Sequence, residues 1–416
     1  MPEFLELLPP GIALESFLDK IQSAPEVEKI EVKGALGRVT QEDIRAPHAL
    51  PSFPRSTVDG YAVRAGDTHG ASESLPIYLN LVGEVEMGRK AQFTLGPTHC
   101  GLIHTGGMLP SGADAVVMLE NTQVAKPGEI EVLRAAAVGE NVIKVGEDVL
   151  ESEIVIPKGS LLRAPEIGGL LALGITDIHV YKQPRVAIIS SGDEVVPPNA
   201  DINPGQVRDI NSYTLSALVE GVGGIPKRYG IIADNQADLY EAASRALAEC
   251  DLVVITAGSS ASARDLTSRV ISDLGEPGVI SHGVNVRPGK PTILGACKIA
   301  GGDYPKPIIG LPGNPVSALV IAILFVEPTI DYLHGLQTPQ IRPQIKARVT
   351  LNLASKAGRE DWVPVKLSSE GDTTSAEPIF GKSNLIFTLA RADGLLHIPP
   401  QVTGLNAGDE VEVLLI

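Results

Sequence analysis

Short apolar segments alternate with helical segments between residues 184 and 332. Strands are predicted at Arg185–Ser190, Asp251–Thr256 and Pro307–Leu311, because each is a short apolar run bounded by turn residues. Buried strands that alternate with helices form a mostly parallel sheet with helices on both faces. The sequence therefore predicts a doubly wound α/β domain over residues 183–332, with helices at Asn211–Glu220, Gln236–Glu249, Leu266–Leu274 and Val316–Ile330.

Two other parts of the chain favour β-structure. Residues 49–145 are rich in glycine, proline, valine and threonine, and they contain strand-like runs such as Ile77–Glu84 and Ala115–Glu120. This pattern is typical of a β-rich domain. Residues 333–416 return to short alternating strands, which predicts a C-terminal β domain with strands such as Ile345–Asn352 and Glu410–Ile416.

The remaining residues predict a small, discontinuous linker domain. It combines residues 11–48 with residues 146–182, and it contains a helix at Leu14–Ser23 and an extended segment at Lys29–Lys33. At about 150 residues per domain, a chain of 416 residues has room for about three or four domains. The predicted organisation is therefore a multidomain α/β and β protein.

Charge limits the partners of the chain. The net charge is −16, which disfavours both binding of DNA or RNA by a broad basic surface and binding to an anionic membrane surface. We therefore expect no nucleic-acid partner and no membrane partner. A small anionic substrate is still allowed, because a local group of lysine, arginine and backbone N–H groups can outweigh the global field.

The cysteines and the chain ends indicate a cytoplasmic protein. Sparse cysteines without CxxC spacing suit a reducing compartment, where we expect them to be core residues: Cys100, Cys250 and Cys297. The segment Met1–Pro10 lacks a basic start and a long apolar run, so no secretory signal is predicted. The longest apolar run, Ala318–Val326, is too short to span a bilayer.

Three unusual loops follow the predicted strands, where an open parallel sheet binds its ligands. Ser190–Glu194 brings two acids to a strand end, and with Asp265 these acids would suit Mg²⁺, although two adjacent acids also form ordinary solvated turns. Thr256–Ser260 is rich in small residues, as phosphate-binding loops are, or is an ordinary turn. In Leu311–Pro315, Asn314 suits a helix N-cap and Pro315 suits the first helical position. That helix end either presents free N–H groups to an oxyanion or only starts a helix.

A fourth segment, Arg287-Pro288-Gly289-Lys290-Pro291, places two cations three residues apart in a stiff frame. Two fixed cations suit an oxyanion clamp, and the alternative is a basic surface turn. The eight histidines have no zinc-ligand spacing, and no Ser/His/Asp arrangement can be seen in the sequence.

These segments, in this order, resemble the molybdopterin molybdenumtransferase family, the molybdenum insertases that include the E domain of gephyrin. The resemblance covers nearly the whole chain, and its motifs are Ser56–Ala62, Thr105–Val117, Val145–Asp148, Ser191–Glu194, Arg287–Pro291, Leu311–Ala318, Gly358–Asp361 and Gly381–Ser383. It implies an elongated fold of four domains, with a central α/β domain of the molybdopterin-binding type, a β-rich insertion domain, a linker domain and a C-terminal domain like a β-barrel.

The resemblance also implies an activity. Members insert molybdate into adenylylated molybdopterin, release AMP, require Mg²⁺ and act as homodimers in which the partner subunit completes the active cleft. A molybdopterin adenylyltransferase and molybdoenzyme chaperones are further possible partners. The alternatives are a non-catalytic molybdopterin-binding or scaffold protein on the same fold, a tungstate insertase, or a molybdopterin adenylyltransferase.

Site residues follow from the matching motifs. The molybdate-binding positions are Arg287, Lys290, Pro291, Arg359 and Ser383, and the active-site positions are Asp59, Thr105, Asp148, Glu194, Asp234 and Asp265. Glu194 and Asp265 are the expected neighbours of Mg²⁺. The nucleotide and pterin positions are Ser191, Gly192, Gly258, Ser260, Pro312, Gly313 and Asn314.

The sequence departs from the family in two places. Ala257 and Ser262 stand where the family's loop has glycine. Their side chains would strain the backbone if these positions need a positive φ, or block the ligand if it must approach the backbone closely. This departure is the reason for considering a scaffold without activity. Arg287 stands where lysine is common, which keeps the charge and changes the geometry.

Overall fold

The structure is a computed structural model that describes residues 7–22, 25–257, 261–298, 304–371 and 373–416, with only the backbone described at 261–264. The chain divides into two compact units, which are described separately below. One unit comprises Met1–Glu42, Lys158–Ala164 and Asp177–Ile416, and the other comprises Asp43–Pro157 and Pro165–Thr176.

The part of the chain before residue 185 is mostly β-structure. Its helices are α1 (Pro10–Leu18) and α2 (Ala164–Ala172). Its strands are β1 (Val27–Glu31), β2 (Ile44–Arg45), β3 (Arg55–Ser56), β4 (Gly60–Val63), β5 (Ile77–Glu84), β6 (His99–Ile103), β7 (Ala115–Met118), β8 (Thr122–Lys126), β9 (Glu129–Val132), β10 (Val142–Ile143), β11 (Ile154–Ile156) and β12 (Asp177–Tyr181).

The second unit is built on a six-stranded sheet with the order β7-β4-β6-β5-β9-β8. The predicted strand Ile77–Glu84 is present with those bounds as β5, and the strand predicted at Ala115–Glu120 ends two residues earlier, as β7. The sheet buries aliphatic residues on its inner face, including Leu79, Val117 and Val132. The β-rich character predicted for this region is therefore confirmed.

The α/β domain contains strands β13 (Arg185–Ser191), β14 (Val195–Val196), β15 (Val207–Arg208), β16 (Ile225–Ile232), β17 (Leu252–Ala257), β18 (Pro277–His282), β19 (Val286–Arg287), β20 (Ile293–Cys297) and β21 (Lys306–Pro312). Its helices are α3 (Asn211–Gly221), α4 (Gln236–Glu249), α5 (Ala261–Leu274), α6 (Pro315–Ile321) and α7 (Glu327–Leu333). The main sheet has the order β16-β13-β17-β21-β20-β18. The pairs β13–β16, β13–β17 and β17–β21 are parallel, and β20 and β18 extend the sheet in antiparallel fashion.

Helices cover both faces of this sheet, as predicted for a doubly wound domain. Alternate residues of β13 point to opposite faces. Val186 and Ile188 pack in a core with residues of α1, α3 and α6, whereas Ala187 and Ile189 pack with residues of α4 and α5. Strands β16 and β17 lie on opposite sides of β13, so the strand order reverses between β13 and β17. In such sheets ligands bind at the carboxyl ends of the two strands that flank this reversal.

Helices α6 and α7 are continuous through a π-helical segment, Ala322–Val326. Together they form one apolar helix, Pro315–Leu333, which is long enough to cross a membrane by length and composition. However, 78% of its apolar window is buried inside the structure, as expected for a core helix. This helix is longer than the nine-residue apolar run seen in the sequence, because polar residues also lie on the buried face, including Thr329 and Asp331.

The C-terminal domain is a closed barrel of five strands. It contains β22 (Gln344–Val349), β23 (Leu353–Ala354), β24 (Glu360–Glu370), β25 (Thr373–Pro378), helix α8 (Phe387–Ala390), β26 (Gly394–Ile398), β27 (Gly404–Leu405) and β28 (Glu410–Leu415). The ring runs β24-β25-β22-β28-β26 and closes because β26 also pairs with β24. Closure removes free sheet edges, and Val349, Val365 and Val413 fill the interior.

The three cysteines are buried and free, as predicted for core residues. Burial raises the pKa of the Cys100 and Cys297 thiols to about 12 and also raises the pKa of Cys250.

Because the thiolate is the reactive form, we expect the folded protein to resist labelling by a thiol reagent at mildly alkaline pH, and three thiols to react after unfolding in guanidinium. A spectrophotometric thiol titration measures both numbers. Rapid labelling of any thiol in the folded protein would contradict the expectation.

Candidate functional site

A large cavity lies between the α/β domain and the barrel, within the first unit. It has a volume of about 1050 Å³. All five predicted molybdate-binding residues line it: Arg287, Lys290, Pro291, Arg359 and Ser383. Two residues predicted to contact nucleotide or pterin, Pro312 and Asn314, line it as well. The structure therefore brings together residues that are as far as 96 positions apart in the sequence, from Arg287 to Ser383.

Backbone pairing between the two domains joins the two halves of this site. Strand β19 of the α/β domain leaves the main sheet and pairs in parallel with β24 of the barrel, which sets Arg287 beside Asp361. The Glu360 amide donates a hydrogen bond to the Asn285 carbonyl at 3.1 Å, and the Asn285 side-chain amide donates to the Gly358 carbonyl. Arg287, at the end of β19, and Arg359, just before β24, are consequently held close to each other.

The segment Arg287–Pro291 is fixed by its own contacts. Gly289 has φ +119°, and a Cβ atom there would lie 2.3 Å from Cγ1 of Ile321 in α6. The Thr292 hydroxyl donates to the Gly289 carbonyl at 2.7 Å, and the Val284 amide donates to the Lys290 carbonyl at 2.9 Å. The backbone is therefore pinned while the Lys290 side chain stays exposed at the cavity.

A carboxylate that the motif comparison did not assign lies among these cations. Arg359 donates to Asp361 from Nε, at 2.7 Å from Oδ1, and from Nη2, at 3.0 Å from Oδ2. Nη1 of Arg287 is 3.8 Å from the same Oδ2. Arg359 and Asp361 are two positions apart at the start of β24, and residues with this spacing in an extended chain point to the same face. This spacing is the sequence signal that could have indicated their contact.

The cavity is electropositive although the chain is acidic. Its lining holds four basic side chains and one carboxylate: Arg287, Lys290, Arg359, Lys382 and Asp361. The lining also includes apolar side chains, among them Trp362, Val363 and Phe380. Fixed cations beside an apolar wall can bind a small oxyanion that is attached to, or reacts with, a larger and less polar molecule.

The loop after β21 begins a helix as predicted. Asn314 is the N-cap residue and Pro315 is the first residue of α6, but the Asn314 side chain makes no capping hydrogen bond. Of the two alternatives left open by the sequence, a free N–H group for an oxyanion is not available at Val316, whose amide donates to the Ser383 carbonyl at 3.0 Å. The helix start therefore anchors the barrel loop that carries Ser383. The Gly313 carbonyl is also occupied, since it accepts a hydrogen bond from Asn211 Nδ2 at 2.9 Å.

A second polar group lies at the carboxyl ends of β13 and β16. The Ser191 hydroxyl donates to Asp234 Oδ1 at 2.6 Å, and the Asp234 amide donates to Asp193 Oδ1 at 3.2 Å. Gly192 has φ +152°, and a Cβ atom there would lie 3.0 Å from Glu194 Oε2. The structure thus brings Ser191, Gly192, Glu194 and Asp234 together.

Sequence reasoning missed Asp209 in this second group. It is buried, and it accepts hydrogen bonds from Ser190 Oγ at 3.0 Å and from Ser212 Oγ at 2.6 Å. The Ser212 amide also donates to it at 3.1 Å, so Asp209 caps the first turn of α3. The sequence signal that could have identified Asp209 is its position just before the helix predicted at Asn211–Glu220, where an acid often caps the first turn.

The loop after β17 is described only in part, and Gly258 and Ser260 lie outside the described residues. Ala257 ends β17 in extended conformation, paired with Pro312, and the backbone of Ser262 is helical within α5. Neither position has the positive φ that would strain an alanine or a serine. The backbone strain considered for this departure is therefore absent at both positions.

The predicted metal position has a sparse donor set. Asp265 is exposed on α5, and Glu194 follows β13. The described residues contain no group of three or more histidine, cysteine, aspartate or glutamate side chains that could hold a metal ion. A hard cation at this position would need water and substrate oxygens for most of its coordination, which is the usual arrangement for Mg²⁺.

Asp59, Thr105 and Asp148 lie in the second unit. The Thr105 amide donates to Asp59 Oδ1 at 2.9 Å, and His104 Nδ1 lies 3.5 Å from the same oxygen. All three predicted residues are exposed. Asp148 follows the turn at Gly146, and its amide donates to the Leu50 carbonyl at 3.1 Å.

His104, which the motif comparison did not assign, carries a shifted pKa beside Asp59. Its hydrogen bond to Glu84 raises the pKa of the imidazole, and the negative charges of Glu84 and Asp59 raise it further. Because the folded state favours the protonated ring, this contribution to stability is present below the ordinary pKa of histidine and is lost as pH rises through the folded pKa.

Glu84→Gln is expected to lower the His104 pKa in an NMR titration. Glu86→Gln, which removes an acid paired with Arg89, should leave it unchanged, and an equal shift in both variants would contradict the assignment.

Models of three families match the chain in order. The model described as "MoeA N-terminal region (domain I and II)" matches residues 9–174, and the one described as "Probable molybdopterin binding domain" matches residues 187–332. The model described as "MoeA C-terminal region (domain IV)" matches residues 346–416. These matches follow the β-rich part, the α/β domain and the barrel.

Curated relatives and solved structures agree with these matches. The chain is 33% identical to a molybdopterin molybdenumtransferase of Nostoc sp., over 96% of this chain and 91% of the relative. It is also 33% identical to molybdopterin molybdenumtransferase 2 of Mycobacterium tuberculosis, over 91% and 92%. A crystal structure of the molybdopterin biosynthesis moeA protein from Pyrococcus horikoshii OT3 has a TM-score of 0.85 and 31% identity, covering 99% of this chain and all of the other.

Proposed function

Because this chain belongs to the molybdopterin molybdenumtransferase family, we propose that it inserts molybdate into adenylylated molybdopterin, forming molybdenum cofactor and releasing AMP. The observation that carries the proposal is the electropositive cavity in which Arg287, Lys290, Arg359 and Ser383 meet. We call these four residues the oxyanion clamp. Molybdate is a tetrahedral dianion, and a set of fixed cationic and hydroxyl donors is the site that such an anion requires.

The clamp would act by position and charge. Lys290 supplies a mobile ammonium, whereas Arg359 is held by Asp361 and offers a fixed planar group. Ser383 offers a hydroxyl from a loop that is anchored at the start of α6. Donors that are already in place cost little reorganisation when charge shifts during metal transfer. No protein nucleophile is needed in this scheme, since the sulfur ligands of the metal belong to the substrate.

The nucleotide end of the substrate would bind at the second polar group. Ser191 and Gly192 at the end of β13 would face the phosphates, with Pro312, Gly313 and Asn314 beside the pterin. Gly258 and Ser260 remain predicted nucleotide-binding positions. Mg²⁺ held near Glu194 and Asp265 would neutralise phosphate charge during loss of AMP. Asp234, hydrogen-bonded to Ser191, would keep that hydroxyl oriented.

Asp59, Thr105 and Asp148 supply the remaining predicted active-site groups. We propose that they act across the interface of a homodimer, so that each cleft is completed by the partner subunit. Light scattering after size exclusion measures the oligomeric state, and mixed dimers of Asp59→Asn with Lys290→Gln should regain part of the activity that either variant lacks. We further propose a cytoplasmic enzyme that receives substrate from a molybdopterin adenylyltransferase and passes its product to molybdoenzyme chaperones.

The direct test supplies the purified protein with Mg²⁺, molybdate and adenylylated molybdopterin. We expect release of AMP, measured by chromatography, together with cofactor that restores activity to a molybdoenzyme lacking it. Substrate binding without AMP release would indicate a scaffold and contradict the proposal. Competition by tungstate measures oxyanion preference, and consumption of ATP with molybdopterin alone would indicate an adenylyltransferase instead.

A further inference from the structure

We propose that Asp361 is a positioning residue for oxyanion binding, which fixes Arg359 of the clamp, determines which of its N–H groups face the anion, and pairs by charge with Arg287. The inference rests on the proposed function, because it concerns the same cavity. Asp361 has 3% of its surface exposed, and it lies where β24 meets β19. It reaches a ligand through the arginines, so it is not itself a catalytic residue.

Asp361 occupies two of the N–H groups of Arg359 and leaves three available. A guanidinium has five N–H groups. Arg359 directs its Nε–H and one Nη2–H to the two carboxylate oxygens, at 2.7 and 3.0 Å. The two Nη1–H groups and the second Nη2–H remain. An oxyanion therefore meets the Nη edge of Arg359, and the Nε–Nη2 edge, which usually grips carboxylate and phosphate, is already occupied.

Asp361 is held in place from a third direction. The Ser355 hydroxyl donates to its Oδ2 at 3.0 Å, the same oxygen that faces Nη1 of Arg287 at 3.8 Å. A buried carboxylate with these partners holds its orientation and lowers the repulsion between the two guanidinium groups. It also removes one positive charge from the clamp, which suits an anion that must be handed on rather than retained.

A structural role alone is the competing explanation, since Asp361 also ties the barrel to the α/β domain. The barrel offers a matched carboxylate for comparison. Asp393 accepts hydrogen bonds from Lys366 Nζ at 2.6 Å and from the Leu367 amide at 2.7 Å, but it does not line the cavity. An effect that appears for Asp361 and not for Asp393 is specific to the clamp.

The test compares the full-length wild-type protein with Asp361→Asn and Asp393→Asn. Equilibrium dialysis with molybdate as the probe measures binding without turnover. We expect the Kd for molybdate to rise about tenfold in Asp361→Asn and to stay unchanged in Asp393→Asn. In steady state, the KM for molybdate should rise by a similar factor in Asp361→Asn, with kcat reduced less than about threefold. If Asp361→Asn does not fold, Ser355→Ala takes its place, with an expected rise in Kd of about threefold.

The outcomes separate the two proposals. Wild-type protein that binds no molybdate would contradict the proposed oxyanion site and, with it, this inference. Wild-type protein that binds molybdate, together with an Asp361→Asn variant that binds it equally or more tightly, would contradict the inference alone. A loss confined to kcat would also overturn it, because orientation of the arginines acts on anion binding.

Discussion

Lys290→Gln is expected to lower kcat/KM for molybdate by about a hundredfold, equal to about 2.7 kcal/mol of transition-state stabilisation. The physical reason is that Lys290 is an exposed cation of the fixed segment Arg287–Pro291, and glutamine removes the charge while keeping a polar side chain that is one atom shorter. Arg287 and Arg359 are both engaged with Asp361, so neither can fully replace the ammonium. Initial rates of AMP release at varied molybdate concentration measure the effect.

Lys346→Gln is the matched control. Lys346 is a surface lysine of the barrel that pairs with Glu410 at 3.1 Å and does not line the cavity. Exposed pairs of this kind contribute about 0–1 kcal/mol, so both its activity and its stability should stay close to those of the wild type. Activity of Lys290→Gln within about threefold of the wild type would remove Lys290 from the proposed site.

Gly289→Ala is expected to destabilise the first unit by about 3 kcal/mol and to abolish molybdate binding. A Cβ atom at this position would lie 2.3 and 2.4 Å from two side-chain carbons of Ile321, and the backbone φ of +119° is unfavourable for alanine. The segment must therefore move away from α6, and Lys290 moves with it. Chemical denaturation followed by the fluorescence of Trp362, the only tryptophan in the sequence, measures the stability.

Two further variants separate the clash from the backbone strain. Gly408→Ala has a similar φ of +92° but nothing within 4 Å of the added Cβ, so it should cost only about 1 kcal/mol. Shortening Ile321 to alanine should reduce the additional cost of Gly289→Ala, because the clashing atoms are gone. If Gly289→Ala unfolds at the same denaturant concentration as Gly408→Ala, the steric argument is wrong.

The α/β domain was predictable because its signal is local. Gln236–Glu249 has the predicted bounds as α4, and the apolar runs that became β13, β17 and β21 differ from prediction by one residue at each altered end. The antiparallel strands β18 and β20 were not predicted. Proline and glycine open β18, and glycine interrupts both strands, so neither reads as an uninterrupted apolar run. The N-terminal helix also starts earlier than predicted, at Pro10, since proline suits the first helical turn.

The candidate site was predictable only in its motifs. Charge and spacing identified Arg287 and Lys290, but their meeting with Arg359 depends on the pairing of β19 with β24, which are about 73 residues apart and share no local pattern. Asp361 ends the motif Gly358–Asp361, but its hydrogen bonds with Arg359 and its ion pair with Arg287 are properties of the tertiary structure. The sequence could not decide whether the Val316 amide at the start of α6 is free for the same reason, because the Ser383 carbonyl that accepts its hydrogen bond comes from another domain.

The clamp depends on the register between the two-residue strand β19 and β24, as well as on the identity of its residues. Successive residues of a strand point to opposite faces, so a slip of one residue between β19 and β24 would turn Arg287 away from Asp361 while every side chain was still present. Insertion of a single residue between Asn352 and Arg359 would preserve the site only if the loop before β24 changes its conformation and the pairing of β19 with β24 is kept. The site therefore depends on the number of residues that precede Arg359 in the barrel as well as on its charges. An insertion that preserves every lining residue can still disrupt it.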